Sequence, residues 1–104
     1  MKTIMLACAA GMSTSMLVTR MKKAAEEEGK DVKIFAVSTA EASDKVAEQT
    51  IDAILLGPQV RYQLEEFKKT FEPKGIKVDV IDMTDYGMMN GKKVLETALA
   101  QLEK

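Results

Sequence analysis

A chain of 104 residues suffices for one compact domain and not for two. Its balance of 46% hydrophobic and 30% charged residues excludes a disordered chain, and a net charge of -1 excludes the polybasic field that drives binding to nucleic acid or to membrane surfaces. A single cysteine excludes an internal disulfide, and the lack of any histidine excludes a Ser-His or Cys-His pair built within the chain.

Taken from the N-terminus, Met1-Lys2 followed by apolar residues and Leu6-Ala7-Cys8 has a faint likeness to a lipoprotein cleavage site. The apolar run Thr3–Ala7 is shorter than the roughly 7–15 residues of a signal-peptide core, so a cytoplasmic protein is the expectation. A lone reduced thiol fits that compartment. The same run reads as a strand buried on both faces. After the loop Cys8-Ala9-Ala10-Gly11-Met12-Ser13-Thr14-Ser15, a helical pattern begins near Ser15. Leu17, Met21, Ala24 and Glu28 trace one face, Ser13 or Thr14 is the expected cap, and Gly29 is the expected stop.

Val32–Val37 reads as the next strand. Ser38 and Glu41 have capping-box spacing, so a helix with a thin apolar face of Ala42, Val46 and Ala47 should follow near Thr39 or Ala40. Ile51–Leu56 reads as a buried strand closed by Gly57-Pro58-Gln59. Val60, Leu64, Phe67 and Phe71 then recur at helical spacing up to Pro73-Lys74-Gly75. Ile76–Ile81 alternates with Lys77 and Asp79, which suits a sheet edge; Asp82–Asn90 reads as a loop, and Val94, Leu95, Ala98, Leu99 and Leu102 mark a closing helix.

Strand and helix thus alternate four times, the pattern of an α/β domain: a four-stranded parallel sheet, helices on both faces, right-handed crossovers. Ligands of such sheets bind beyond the carboxyl ends of the strands, where the winding reverses. With strand order 2-1-3-4, Cys8, the Gly57–Gln59 turn and the Asp82–Asn90 loop meet on one rim.

The loop after Cys8 carries the chemistry. An unperturbed thiol has a pKa of about 8.5, and loop N–H groups with the positive end of a helix favour the thiolate. The same donors suit the oxygens of a phosphoryl group attached to sulfur. Gly11 permits a tight turn, Ala9 and Ala10 leave space, and the hydroxyls of Ser13, Thr14 and Ser15 are further donors. Cysteine-based tyrosine phosphatases carry Cys-x5-Arg, the guanidinium forking onto phosphate. Here the sixth residue after Cys8 is Thr14, and the arginines are Arg20 and Arg61. A loop that binds phosphate without the means to hydrolyse it efficiently favours a carrier over a phosphatase. Two alternatives stay open: a phosphatase-like or arsenate-reductase-like enzyme, and a regulatory domain that binds a partner according to its phosphorylation.

The motifs Cys8-Ala9-Ala10-Gly11-Met12-Ser13-Thr14-Ser15, Leu55-Leu56-Gly57-Pro58-Gln59-Val60 with Tyr62, Val80-Ile81-Asp82 and Tyr86-Gly87 resemble the IIB components of the phosphoenolpyruvate-dependent sugar phosphotransferase system, lactose/cellobiose (N,N′-diacetylchitobiose) class. Residue 9, often serine in that family, is alanine here. The resemblance covers essentially the whole chain and implies one IIB domain over residues 1–104, in an architecture like that of low-molecular-weight tyrosine phosphatases and flavodoxin. It implies that Cys8 takes a phosphoryl group from a phosphohistidine on a IIA protein, as a phosphocysteine. The group then passes to a sugar, a β-linked disaccharide such as cellobiose, chitobiose or lactose, bound by the IIC permease. The donor imidazole thus arrives on a partner. No cofactor, metal or membrane insertion is implied, and a monomer is expected.

Of the remaining residues, Asp82 and Asp85 are general-acid candidates only in the phosphatase reading and are expected to cap or stabilise loops. Gln59 and Tyr86 are expected rim contacts. Arg61 is expected in solvent. Met12, Met16, Met83, Met88 and Met89 gather near the rim, and Met12 with Met88-Met89 is the expected docking surface for successive partners.

Overall fold

The computed structural model describes residues 1–9 and 12–102, with backbone alone at 12 and 13. Four parallel strands lie in the order β2-β1-β3-β4, as the alternation predicts. They are β1 (Lys2–Cys8), β2 (Val32–Ser38), β3 (Ala53–Leu56) and β4 (Lys77–Val80). The helices are α1 (Met12–Glu27), α2 (Ala42–Glu48), α3 (Leu64–Phe71), α4 (Met83–Gly87) and α5 (Gly91–Leu102).

Strand pleating sends alternate residues of β1 to opposite faces, which is why its continuous apolar run serves two cores. Ile4 and Leu6 pack with Leu17, Met21, Val94 and Leu95 of α1 and α5. Met5 and Ala7 pack with Ala42, Phe67 and Phe71 of α2 and α3. Phe67 and Phe71 meet edge to face, with ring centroids 5.3 Å apart. The edge strands β2 and β4 carry the polar residues, Lys33 and Lys77 being exposed. At the amino ends of the strands, Asp52 ties the beginnings of β1, β3 and β4 together. Its carboxylate accepts from Thr3 N–H at 2.8 Å, its own N–H donates to Thr3 O at 2.9 Å, and its carbonyl accepts from Lys77 N–H at 3.0 Å. This use of Asp52 as a tie explains why β3 begins at Ala53 rather than Ile51.

Three other boundaries differ from expectation. The first helix starts at Met12, not near Ser15, so Ser13 and Thr14 stand inside its first turn and do not cap it. Glu28 lies beyond its end and is exposed, the buried stripe being Leu17, Val18, Met21, Ala24 and Ala25. Gly29 ends this helix as expected, with φ 66°; its N–H donates to Glu26 O and that of Lys30 to Ala25 O.

The third difference is α4, inside the stretch read as a loop. Asp82 caps it, its carboxylate accepting from the N–H groups of Thr84 and Asp85 at 3.1 Å each. Asp82 therefore has the capping role expected of it. α4 ends in the same hydrogen-bond pattern as α1, Met89 N–H to Tyr86 O and Asn90 N–H to Asp85 O, but with methionine in the left-handed position, φ 53°. Asn90 Oδ1 then accepts from Lys93 N–H at 3.1 Å and opens α5. Tight short-turn helices of three residues (Thr39–Glu41) and six (Pro58–Gln63) precede α2 and α3, so both predicted helices begin in this tighter winding.

Candidate phosphoryl-transfer site

Cys8 is the last residue of β1, two steps beyond Leu6 and so on the face covered by α1. It is 2% exposed and pairs in register with Ser38 at the end of β2. α1 begins four residues later. The N–H groups of a helix's first turn find no carbonyl within the helix, and their aligned dipoles make that end positive. A sulfur anion or a phosphoryl group at Cys8 lies at that end.

Thr14 sits in this turn and is fully buried, with Oγ1 3.4 Å from Cys8 Sγ. Either atom of that pair can be the donor. The residue standing where a phosphatase would carry arginine turns its hydroxyl onto the Cys8 sulfur. Ala9 and Ser15 are exposed beside it. Ala10 and Gly11, with the side chains of Met12 and Ser13, belong to the predicted cradle and lie outside the described residues.

β3 supplies the second wall. Gly57 continues the ladder past Leu56, donating to Ala7 O at 2.8 Å. A Cβ on Gly57 would come within 3.3 Å of Cys8 Cβ and 2.8 Å of Gln59 Oε1. With φ -64° and ψ 151°, Gly57 has a backbone any residue adopts, so glycine is needed here for space alone. Sequence reasoning placed Gly57 in the turn without giving it this role. The available signal was a Gly-Pro pair directly after a buried strand, at the level of the thiol.

The fourth-strand loop completes the rim: Gln59 Nε2 donates to Tyr86 OH at 3.0 Å. The three segments expected to converge therefore do, through Ala7–Gly57 and Gln59–Tyr86.

Other expected residues sit apart. Asp82 and Asp85 line a small cavity closed by Leu55, Val94, Ala98 and Gln101, which fits their structural reading and not a general acid. Arg61 is exposed, as expected. Arg20 packs its backbone against Gly91. Eight residues separate it from Met12, about 12 Å along the helix axis. Met16, Met83 and Met88 are exposed. Met89 is not: it is half-buried against the core of α1 and α5, and with Met88 it lines a groove beside Arg20, Lys23 and Ala24. Met88-Met89 thus stand along α1 rather than beside its first residue, Met12. Among the described residues no helix is long and apolar enough to cross a membrane.

Residues 3–97 match the family model described as PTS system, Lactose/Cellobiose specific IIB subunit. The chain belongs to this family. It is a IIB component of a sugar phosphotransferase system, and hence a phosphotransferase whose class works with IIA and IIC partners. It is 54% identical, over 93% of each chain, to the galactose-specific EIIB component of Lactococcus lactis subsp. cremoris (strain MG1363). It is 53% identical, again over 93% of each, to the cellobiose-specific EIIB component of Lactococcus lactis subsp. lactis (strain IL1403). With the oligo-beta-mannoside-specific EIIB component of Bacillus subtilis (strain 168) it shares 45% identity over 96% of this chain and 95% of that one.

Among solved structures, the cellobiose-specific phosphotransferase IIB component of Borrelia burgdorferi superposes with a TM-score of 0.79 at 39% identity, over 98% of this chain and 92% of that one. A YwlE mutant from Bacillus subtilis, at 16% identity and a TM-score of 0.59 over the whole of both chains, shares the fold alone. The expected fold class stands.

Proposed function

We propose that Cys8 is the phosphoryl carrier of this IIB component, accepting the group from a phosphohistidine on a IIA protein and passing it to a sugar held by a IIC permease. The observation that carries the reading is the position of the thiol: the end of β1, the first turn of α1 beyond it, and the Thr14 hydroxyl 3.4 Å from Sγ.

In the first transfer the Cys8 thiolate attacks phosphorus, an S–P bond forms, and the N–P bond of the phosphohistidine breaks. The electron pair of that bond stays on the departing imidazole, which leaves neutral when its other ring nitrogen already carries a proton. Where the sulfur enters as a thiol, its proton goes to that imidazole. In the second transfer a sugar hydroxyl attacks phosphorus, the S–P bond breaks, the sulfur leaves as thiolate and the hydroxyl proton passes to solvent. Helix N–H groups and the Thr14 hydroxyl favour the anionic sulfur before the first transfer and after the second. The chain supplies no histidine and needs none, since the imidazole belongs to the donor. It also places no arginine in the loop after Cys8, which suits a phosphocysteine that must outlast the exchange of partners.

The substrate class is a β-linked disaccharide such as cellobiose, chitobiose or lactose, a reading supported by the family's description and by the cellobiose-specific relative. The protein works in the cytoplasm as a monomer, and exposed Met16, Met83 and Met88 belong to the face presented to its partners. Reconstitution tests this. Phosphoenolpyruvate, the general phosphotransferase proteins, a IIA protein, this chain and permease membranes should together phosphorylate cellobiose, and Cys8→Ser should abolish it. Sugar phosphorylation undiminished by Cys8→Ser would contradict the reading. Polar substitution of Met83 and Met88 should slow transfer from IIA, and unchanged rates would remove them from the docking face.

A further inference from the structure

A phosphocysteine presents three anionic oxygens and no donor, and the chain has no loop arginine to meet them. Among the described residues, the side-chain amide of Gln59 stands at the rim near Cys8. Gln59 Oε1 and Cys8 Cβ both fall within 3.3 Å of a single point, the position of the missing Gly57 Cβ, so the end of the Gln59 side chain folds back over Gly57 in the neighbourhood of the cysteine. Its other atom, Nε2, is held by Tyr86 OH at 3.0 Å. A phenol both donates and accepts, so Tyr86 can hold the Gln59 amide in either of its two orientations, by accepting from Nε2 or by donating to Oε1.

We infer that Gln59 is a positioning residue of the phosphorylated state: its amide, tethered by Tyr86, turns over when Cys8 is phosphorylated and gives Nε2–H to a phosphoryl oxygen. The unphosphorylated arrangement is the one observed, carbonyl oxygen over Gly57 and Nε2 on the phenol. In the phosphorylated arrangement Oε1 accepts from Tyr86 and Nε2 faces the phosphate. Tyr86 belongs to α4, a helix capped by Asp82 and followed by exposed Met88, so the phosphorylation of Cys8 reaches the partner-facing surface through one hydrogen bond. A glycine at 57 is a requirement of this device, because any side chain there would displace the amide. The inference rests on the carrier function proposed above and adds to it a residue that sets how firmly Cys8 holds its load.

The experiment measures the partition of phosphoryl groups between a IIA phosphohistidine and Cys8 at equilibrium, by intact mass, for wild type, Gln59→Leu, Gln59→Glu and Tyr86→Phe. A hydrogen bond to a charged group predicts about tenfold less phosphocysteine in Gln59→Leu. Gln59→Glu should be poorer still at neutral pH, because a carboxylate repels the phosphoryl group. Its deficit relative to wild type should shrink as pH falls toward about 5 and the introduced carboxyl gains a proton to donate. A role confined to packing would not produce that pH dependence. Tyr86→Phe should give a smaller loss, and the 1H–15N resonances of the Gln59 amide should move on phosphorylation in wild type. Wild-type partition in both Gln59 variants, independent of pH, would overturn the inference while leaving the carrier function intact. No phosphorylation of wild-type Cys8 by a competent IIA protein would remove both.

Discussion

Residue 14 places a buried hydroxyl against the Cys8 sulfur. Thr14→Val keeps the shape of a fully buried side chain and removes only the hydroxyl 3.4 Å from sulfur. Alkylation of Cys8 by iodoacetamide at neutral pH should slow several-fold, in line with losing a hydrogen bond worth about 1–3 kcal/mol to an anion. Thr14→Ser should stay near wild type, and equal rates in all three proteins would detach Thr14 from the thiol. Gly57→Ala asks for space instead. The new Cβ meets the mobile end of Gln59 and crowds Cys8 Cβ at 3.3 Å, so the protein should fold with a near-native melting temperature yet transfer phosphoryl groups at least about tenfold more slowly. Cys8 as the candidate carrier was legible from residue type and loop composition. Gly57 as a spacer was not, because its need arises from a neighbour nearly fifty residues away in the chain.

Among the elements, legibility followed length and local chemistry. The sixteen-residue α1 announced itself by its periodic stripe and by Gly29, whereas the five-residue α4 is too short to establish a period and depends on the Asp82 cap. Its left-handed terminus at Met89 was hidden for a related reason. Methionine gives no sign of positive φ, and packing against the α1/α5 core holds it there. The short turn Thr39–Glu41 that leads into α2 shows the opposite case, a cap readable from spacing alone. Glu41 Oε1 accepts from Ser38 N–H at 3.2 Å and from its hydroxyl at 2.9 Å. The Ser38 backbone N–H first, and then its hydroxyl, hold the Glu41 carboxyl below its usual range. A carboxyl whose native pKa is lowered stabilises the fold above its unfolded value and loses that contribution as pH falls through the native one. Urea unfolding should therefore show a stability gap between wild type and Glu41→Gln that is full above about pH 5 and closes toward about pH 3. A gap that widens with acid would contradict the sign. The α1–α5 contact is tighter than any pattern predicts: a Cβ on Gly91 would lie 2.5 Å from the Arg20 carbonyl carbon and 2.6 Å from Met21 N. Gly91→Ala should cost about 1–3 kcal/mol in the same unfolding assay, since two backbones must separate.

At the scale of the whole molecule, the strand order 2-1-3-4 turns an ordinary alternation of strands and helices into a site. The winding reverses between β1 and β3, and the thiol, Gly57 and the Gln59–Tyr86 pair all stand at that reversal. The fold was legible because each strand–helix unit is short and carries its own stop. The sugar was not, and under the proposed function its binding pocket belongs to the permease. A carrier also differs from a hydrolase in what it withholds. Turnover of p-nitrophenyl phosphate by the isolated protein should be negligible, and brisk Cys8-dependent turnover would favour a phosphatase. The most direct measurement is the intact mass of the protein after incubation with phosphoenolpyruvate, the general phosphotransferase proteins and a competent IIA protein. The account predicts a gain of one phosphoryl group, mapped by peptide analysis to Cys8 and absent in Cys8→Ser. A phosphoryl group on any other residue, or none on wild type, would contradict it.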